Sequence, residues 1–224
     1  MANPSVTTYD YLLKTVDHYR SFPAMMPFIG GDYESPLHKR LLLIGESNYF
    51  PQNSTIHKDS AGWYNTEQKS LTDTEVEYIH CRKLLEGPWK RKTGHKMYIN
   101  INLCLEDVGL IASERSISHI AYMNAFQRPA SETGKSFKHC YTDIDLDLKV
   151  SVDVIDKVMS IIKPEIVVFV SKYAWDALHS RINKSDSGVY FDYVSHPADH
   201  FHWQTEYPHG KSKFINILKT KFLV

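Results

Sequence analysis

Four short polar runs carry side chains suited to acting on one bound molecule. They are Gly45-Glu46-Ser47-Asn48-Tyr49-Phe50, Asn124-Ala125-Phe126-Gln127-Arg128-Pro129, Ser171-Lys172-Tyr173 and Ser195-His196-Pro197-Ala198-Asp199-His200. Glu46 is the acid of the first run, and a carboxylate can orient a water molecule or stabilise a cationic centre. His196 can place a hydrogen bond on a departing anion, where a preorganised donor is typically worth about 3 kcal/mol or more. Asn124 offers a donor and an acceptor on one side chain, and Phe50 and Phe126 offer flat aromatic faces on which a planar group can stack. Arg128 with Pro129 is either a phosphate contact or a loop arginine in a rigid turn. Glu46 and His196 lie far apart in sequence, so they act together only if the fold gathers them.

The elements that must do so are legible from the apolar pattern. Leu41-Leu42-Leu43-Ile44, stopped by Gly45, is a continuous apolar run of the kind a strand buried on both faces shows. Further strands are predicted at Ser118 to Met123, Ile166 to Val170 and Tyr190 to Val194. Between them, Tyr9, Leu12, Leu13, Val16 and Tyr19 recur at helical spacing, and residues 50–72 read as a polar loop holding Trp63 and Tyr64. Thr72 with Glu75 forms a capping box for a helix running to Gly87-Pro88. Residues 97–105 fit both a strand and a helical face; the helix is favoured because it supplies a crossover to the next strand. Val152, Ile155, Val158, Met159 and Ile162 mark a helix ended by Pro164, and two more are expected from about Lys172 to Ile182 and Lys211 to Phe222. Alternation of helices and short apolar strands predicts one domain over residues 1–224, a three-layer α/β/α sandwich around a mostly parallel, four-stranded sheet. In such sheets ligands bind beyond the carboxyl ends of the strands, where the four polar runs fall.

Composition narrows the class. The 224 residues are 42% hydrophobic, 23% charged and 12% aromatic, the balance of a globular protein. Lys plus Arg and Asp plus Glu both number 26, so with histidine neutral the net charge is zero and no whole-molecule basic field exists. Local basic stretches remain: Arg82, Lys83, Lys90, Arg91, Lys92 and Lys96 near the middle, and Lys211, Lys213, Lys219 and Lys221 near the end. Cys81, Cys104 and Cys140 are odd in number and lack C-x-x-C spacing, which argues against a disulfide framework and fits a reducing cytoplasm. No apolar stretch approaches 18 residues and Met1 to Tyr11 has no secretory pattern, so no membrane contact is expected. His196, His200, His202 and His209 are dense, but Pro197 argues against one helix face presenting two of them, and neither a metal nor a cofactor is expected.

The order strand-Gly-Glu-Ser-Asn-Tyr, strand-Asn-x-x-x-Arg-Pro, Pro-x-x-Val-Val-x-Val and strand-Ser-His-Pro resembles the uracil-DNA glycosylase superfamily over residues 40 to 200. The resemblance implies hydrolysis of the bond joining uracil or a related damaged base to its sugar. Glu46 and His196 would be catalytic, and Gly45, Ser47, Asn48, Tyr49, Phe50, Asn124, Phe126, Arg128, Ser195 and Pro197 would line the substrate. Tyr49 would close the pocket against the methyl group of thymine. The expected partner is single- or double-stranded DNA or a free ligand containing a nucleobase, met by a monomer. Three departures stand out. Ser47 occupies the place of the catalytic aspartate in the best-known branch. The three cysteines cannot supply the four ligands of the iron–sulfur branch. Ala198-Asp199 replaces the end of the His-Pro-Ser motif, leaving Phe201 or Trp203 as a wedge between bases.

Two other readings compete. Gly45-Glu46-Ser47-Asn48 is similar to the Gly-Asp-Ser block of SGNH-type serine esterases, and Asp199 and His202 match that family's late Asp-x-x-His spacing. Ser47 would then attack, with His202 as base and Asp199 orienting it. A third reading is a module that keeps the fold and recognises a nucleobase or nucleic acid without cleaving it.

Overall fold

The structure is a computed structural model that describes residues 5–89, 95–112, 115–140, 143–184, 188–204 and 207–224. Lys90, Arg91 and Lys92 of the middle basic stretch lie outside the described residues. Five strands, β1 (Phe28–Ile29), β2 (Leu41–Gly45), β3 (Ala121–Asn124), β4 (Ile166–Phe169) and β5 (Tyr190–Tyr193), join in one sheet of order β1-β3-β2-β4-β5. The four strands expected from sequence are parallel neighbours, with Leu43 opposite both Tyr122 and Val168. The sheet is nevertheless mixed and five-stranded, because β1 adds antiparallel at the edge, Phe28 opposite Tyr122. Two residues after Pro27 are too few to show any period, which is why this strand escapes a pattern reading.

Side chains leave a strand alternately to its two faces, and both faces here are covered. Leu42, Ile44, Val167 and Phe169 pack in one core cluster, Leu41, Leu43, Ile166 and Val168 in the other. The first cluster takes in residues of α1 (Asp10–Leu13), α2 (Asp17–Ser21), α3 (Ser60–Tyr64), α4 (Asp73–Ile79), α7 (Ile144–Ile162) and α8 (Lys172–Leu178). The second takes in α5 (Cys81–Glu86), α6 (Lys96–Asp107) and α9 (Lys211–Ile217). The result is the three-layer α/β/α sandwich. Among the described residues no helix is long and apolar enough to cross a membrane.

Several boundaries differ from the sequence reading for identifiable reasons. The ambiguous segment is helix α6, burying Met97, Ile101, Cys104 and Leu105 against the sheet. The Thr72–Glu75 capping box forms, but the helix breaks at His80, whose ring accepts from Lys83 N–H and caps a separate α5. The loop over 50–72 holds α3, because Trp63 is wholly buried and donates its indole N–H to the Gln127 carbonyl at 2.9 Å. The first helical pattern splits into α1 and α2, the latter burying His18 against Phe22 and Tyr64. With no partner for Nε2 among the described residues, burial pushes the His18 imidazole down to about 3.

Candidate functional site

Order β3-β2-β4 sends the chain from β2 to one side of the sheet and then back across to the other. The loops after β2 and β4 therefore part, leaving a crevice at their carboxyl ends. Glu46 stands at that crevice, and its carboxylate ties the two sides together. Oε2 accepts from the Ser171 hydroxyl at 2.5 Å; Oε1 accepts from the Ser136 hydroxyl and the Phe137 N–H, both at 2.6 Å. Ser171 also caps α8 by accepting from Ala174 N–H. A carboxylate has about four acceptor positions, so three donors leave one on Oε2 for a water or a substrate hydroxyl.

Asn124 ends β3 beside this acid. Its Oδ1 accepts from the Tyr122 hydroxyl at 2.8 Å and its Nδ2 donates to Asn48 Oδ1 at 2.9 Å, which fixes the orientation of both amides. Period two in β3 places Tyr122 and Asn124 on one face. Gly45 makes room for them: a Cβ there would lie 2.1 Å from the Tyr122 hydroxyl and 2.5 Å from Asn124 Oδ1. The backbone joins the loops as well, Phe126 N–H donating to Glu46 O at 2.8 Å and Ala130 N–H to Asn48 O at 2.9 Å.

His196, beyond β5, completes the arrangement. Ala198 N–H donates to its Nδ1 at 3.2 Å, so the neutral ring carries its proton on Nε2, a donor with no hydrogen-bond partner among the described residues. Burial pushes the imidazole below its ordinary value, outweighing the opposite pulls of Glu46 and Asp199. Tyr49 is 37% exposed, and its phenol is pushed up by burial and then by the Glu46 charge. Glu46, Ser47, Asn48, Tyr49, Asn124 and His196 all line one cavity of about 820 Å³.

Other sequence candidates lie elsewhere. Phe50 is buried edge-on against His57 and Trp63, and Phe126 is wholly buried with its ring stacked on Phe137 at 4.0 Å, so neither has a face left for a base. Arg128 is no phosphate contact. It is fully buried, its Nε and Nη2 donate to Asp147 at 2.9 and 2.6 Å, and its Nη1 donates to the His57 carbonyl at 2.8 Å. Ser195 and Pro197 are buried behind the cavity rather than on its wall. Ser195 N–H donates to His209 O, and Pro197 O accepts from Asn100 Nδ2. Trp203 packs on Phe214, whereas Phe201 is 67% exposed.

Asp199 and His202 do pair, at 2.8 Å, but among the described residues no hydrogen bond joins His202 to Ser47, and His202 rests against Phe201 and Tyr207 instead. The esterase relay is thus not assembled. Three described members of the basic stretches are held in ion pairs, Arg82 with Asp10, Lys211 with Asp107 and Lys213 with Asp192, whereas Lys83, Lys96, Lys219 and Lys221 form none among the described residues. Ser136 and the role of Ser171 are absent from the sequence reading, as is the cavity wall formed by Glu77, Tyr78 and Tyr98. Only Tyr122 had a signal, its position two residues before Asn124.

No protein-family model matches the chain, and no curated protein matches it.

Proposed function

We propose that the chain hydrolyses the N-glycosidic bond of uracil or a related base, in the manner of the uracil-DNA glycosylase superfamily that its motifs resemble. The observation that carries this reading is the meeting of Glu46, Asn124 and His196 on one cavity at the crevice of the sheet.

Each group has a role in that reaction. Cleavage develops positive charge on the sugar and negative charge on the departing base. Glu46, held by three donors, is a fixed negative charge for the sugar, and the spare position on Oε2 orients water toward the anomeric carbon. Neutral His196 directs its Nε2–H at the base oxygen where charge gathers. Asn124 and Asn48 present amide N–H groups to base carbonyls, and Tyr49 narrows the entrance. Water forms the new bond to the sugar, the glycosidic electron pair leaves with the base, and a proton from the water returns to the base nitrogen.

The test incubates the protein with uracil-containing single- and double-stranded DNA and with uracil nucleosides, scoring free base by chromatography and DNA nicks after alkali. Release that falls in Glu46→Gln and His196→Ala is expected. Binding without release from any substrate would leave a recognition module and remove the hydrolase.

A further inference from the structure

The cavity is larger than the three groups above require, and its far side is built from helices that the strand-end loops do not include. Glu77 and Tyr78 come from α4, while Tyr98 lies at the start of α6 and His95 just before it. At about 820 Å³ it falls at the upper end of the range for sites that enclose a whole small molecule. Tyr78 is 42% exposed and, with Tyr49, gives the cavity two accessible aromatic rings.

Its charge is the second observation. Three carboxylates line the cavity, Glu46, Glu77 and Asp199, and no Lys or Arg is among the described lining residues. A nucleotide flipped out of DNA carries a phosphate on each side, and protein contacts to phosphates draw on Lys, Arg and backbone N–H groups. Described lysines flank the walls in sequence, Lys83 beside Leu84, Lys96 between His95 and Met97 and Lys135 between Gly134 and Ser136, but none of the three is among the residues that line the cavity. The Glu77 carboxylate makes no hydrogen bond or ion pair among the described residues, so both its oxygens can accept. Acceptance of ribose hydroxyls by a carboxylate is a recurrent way of holding a nucleoside.

We propose that the substrate of this site is a free ribonucleoside without phosphate, its base toward Asn48, Asn124 and His196 and its ribose hydroxyls toward Glu77, with Tyr78 against the sugar. This rests on the N-glycosidic reading and names the form in which the base arrives. The reaction is nucleoside plus water giving free base plus ribose: the C1′–N bond breaks, a C1′–O bond forms, and the water proton ends on the base, with no oxidant or reductant.

The experiment measures binding of uridine, 2′-deoxyuridine, uridine 5′-monophosphate and a uracil-containing single-stranded oligonucleotide by calorimetry, and base release from each, for the full chain and for Glu77→Gln. Uridine should bind tightest. Removal of the 2′-hydroxyl should weaken binding by about tenfold, the lower range for one hydrogen bond to a charged group. Glu77→Gln should shrink that preference and also the penalty for the 5′-phosphate. A monophosphate or oligonucleotide that binds as tightly as uridine overturns the inference, as does an unchanged uridine to deoxyuridine ratio in Glu77→Gln. Tyr78→Ala, at an exposed position, gives a second check, since it should weaken uridine but not free uracil. Glu77-dependent uridine binding with no base released would retain the ligand class and discard the hydrolysis. Release from the oligonucleotide alone would do the reverse.

Discussion

Glu46 and Arg128 are both charged residues placed just beyond neighbouring central strands, and both are gripped by short hydrogen bonds, yet they end in opposite situations. Arg128 meets a carboxylate, Asp147, and the pair is sealed from water, with Tyr64 adding a further donor to Asp147 at 2.8 Å. Glu46 meets only neutral donors, two hydroxyls and one N–H, and keeps a face on the cavity. Pairing with an opposite charge cancels the field and makes a lock. Fixing a charge with neutral donors preserves its field and aims it. The difference between a structural and a chemical charge in this chain thus lies in what holds it and whether a void adjoins it.

The largest effect should come from opening the lock. Arg128→Ala leaves Asp147 buried without its partner, which should lower stability by about 3–5 kcal/mol in denaturant unfolding. If the protein keeps its stability, the contrast collapses. Glu46→Gln should divide the two regions most clearly, with base release falling by about 10²–10³-fold while unfolding free energy drops by less than in Arg128→Ala. An equal loss of stability would make Glu46 another lock.

Histidine sharpens the comparison through pH. Burial lowers the His18 imidazole from 6.5 to about 3, so the folded state disfavours its protonation while the unfolded chain takes up a proton near its ordinary value. The resulting stability is complete above 6.5 and is lost progressively down to about 3, by at most about 1.4 kcal/mol per pH unit. Unfolding curves of His18→Leu should therefore diverge from those of the native protein across that window. The smallest effect is expected for Ser171→Ala, which loses the cap of α8 and one donor to Glu46. A drop of about 1 kcal/mol in stability, largely restored by threonine, would be read from thermal unfolding alongside base release.

Particular residues explain what the sequence disclosed. The runs Leu41 to Ile44 and Ile166 to Val170 are apolar throughout because both faces of β2 and β4 are covered, and that sign is strong enough to predict the layers. Gly45, Glu46, Asn124 and His196 follow directly, being the residues at or just beyond strand ends. Arg128 misled because a loop arginine before proline looks alike whether it faces phosphate or Asp147, and the partner lies 19 residues on. Phe50 and Phe126 misled because the loops after β2 and β3 fold inward over the core rather than outward. Ser136 was invisible, since one hydroxyl in a polar loop carries no period or spacing. Glu77 and Tyr78 sit on the exposed side of α4, where an acid and a tyrosine look like ordinary helix surface.

The Glu46 clamp also sets when the site comes into being. Its three hydrogen bonds join residues 90, 91 and 125 positions apart. Such contacts close some of the longest loops of the chain and are rewarded only after those loops have been ordered. During synthesis, a chain that has reached the end of β3 possesses the acid but none of its three donors, and Ser171 follows only after β4. The geometry around Glu46 is thus a late event of folding, and a partly folded chain would hold the sheet strands it had made while its acid was still without its donors.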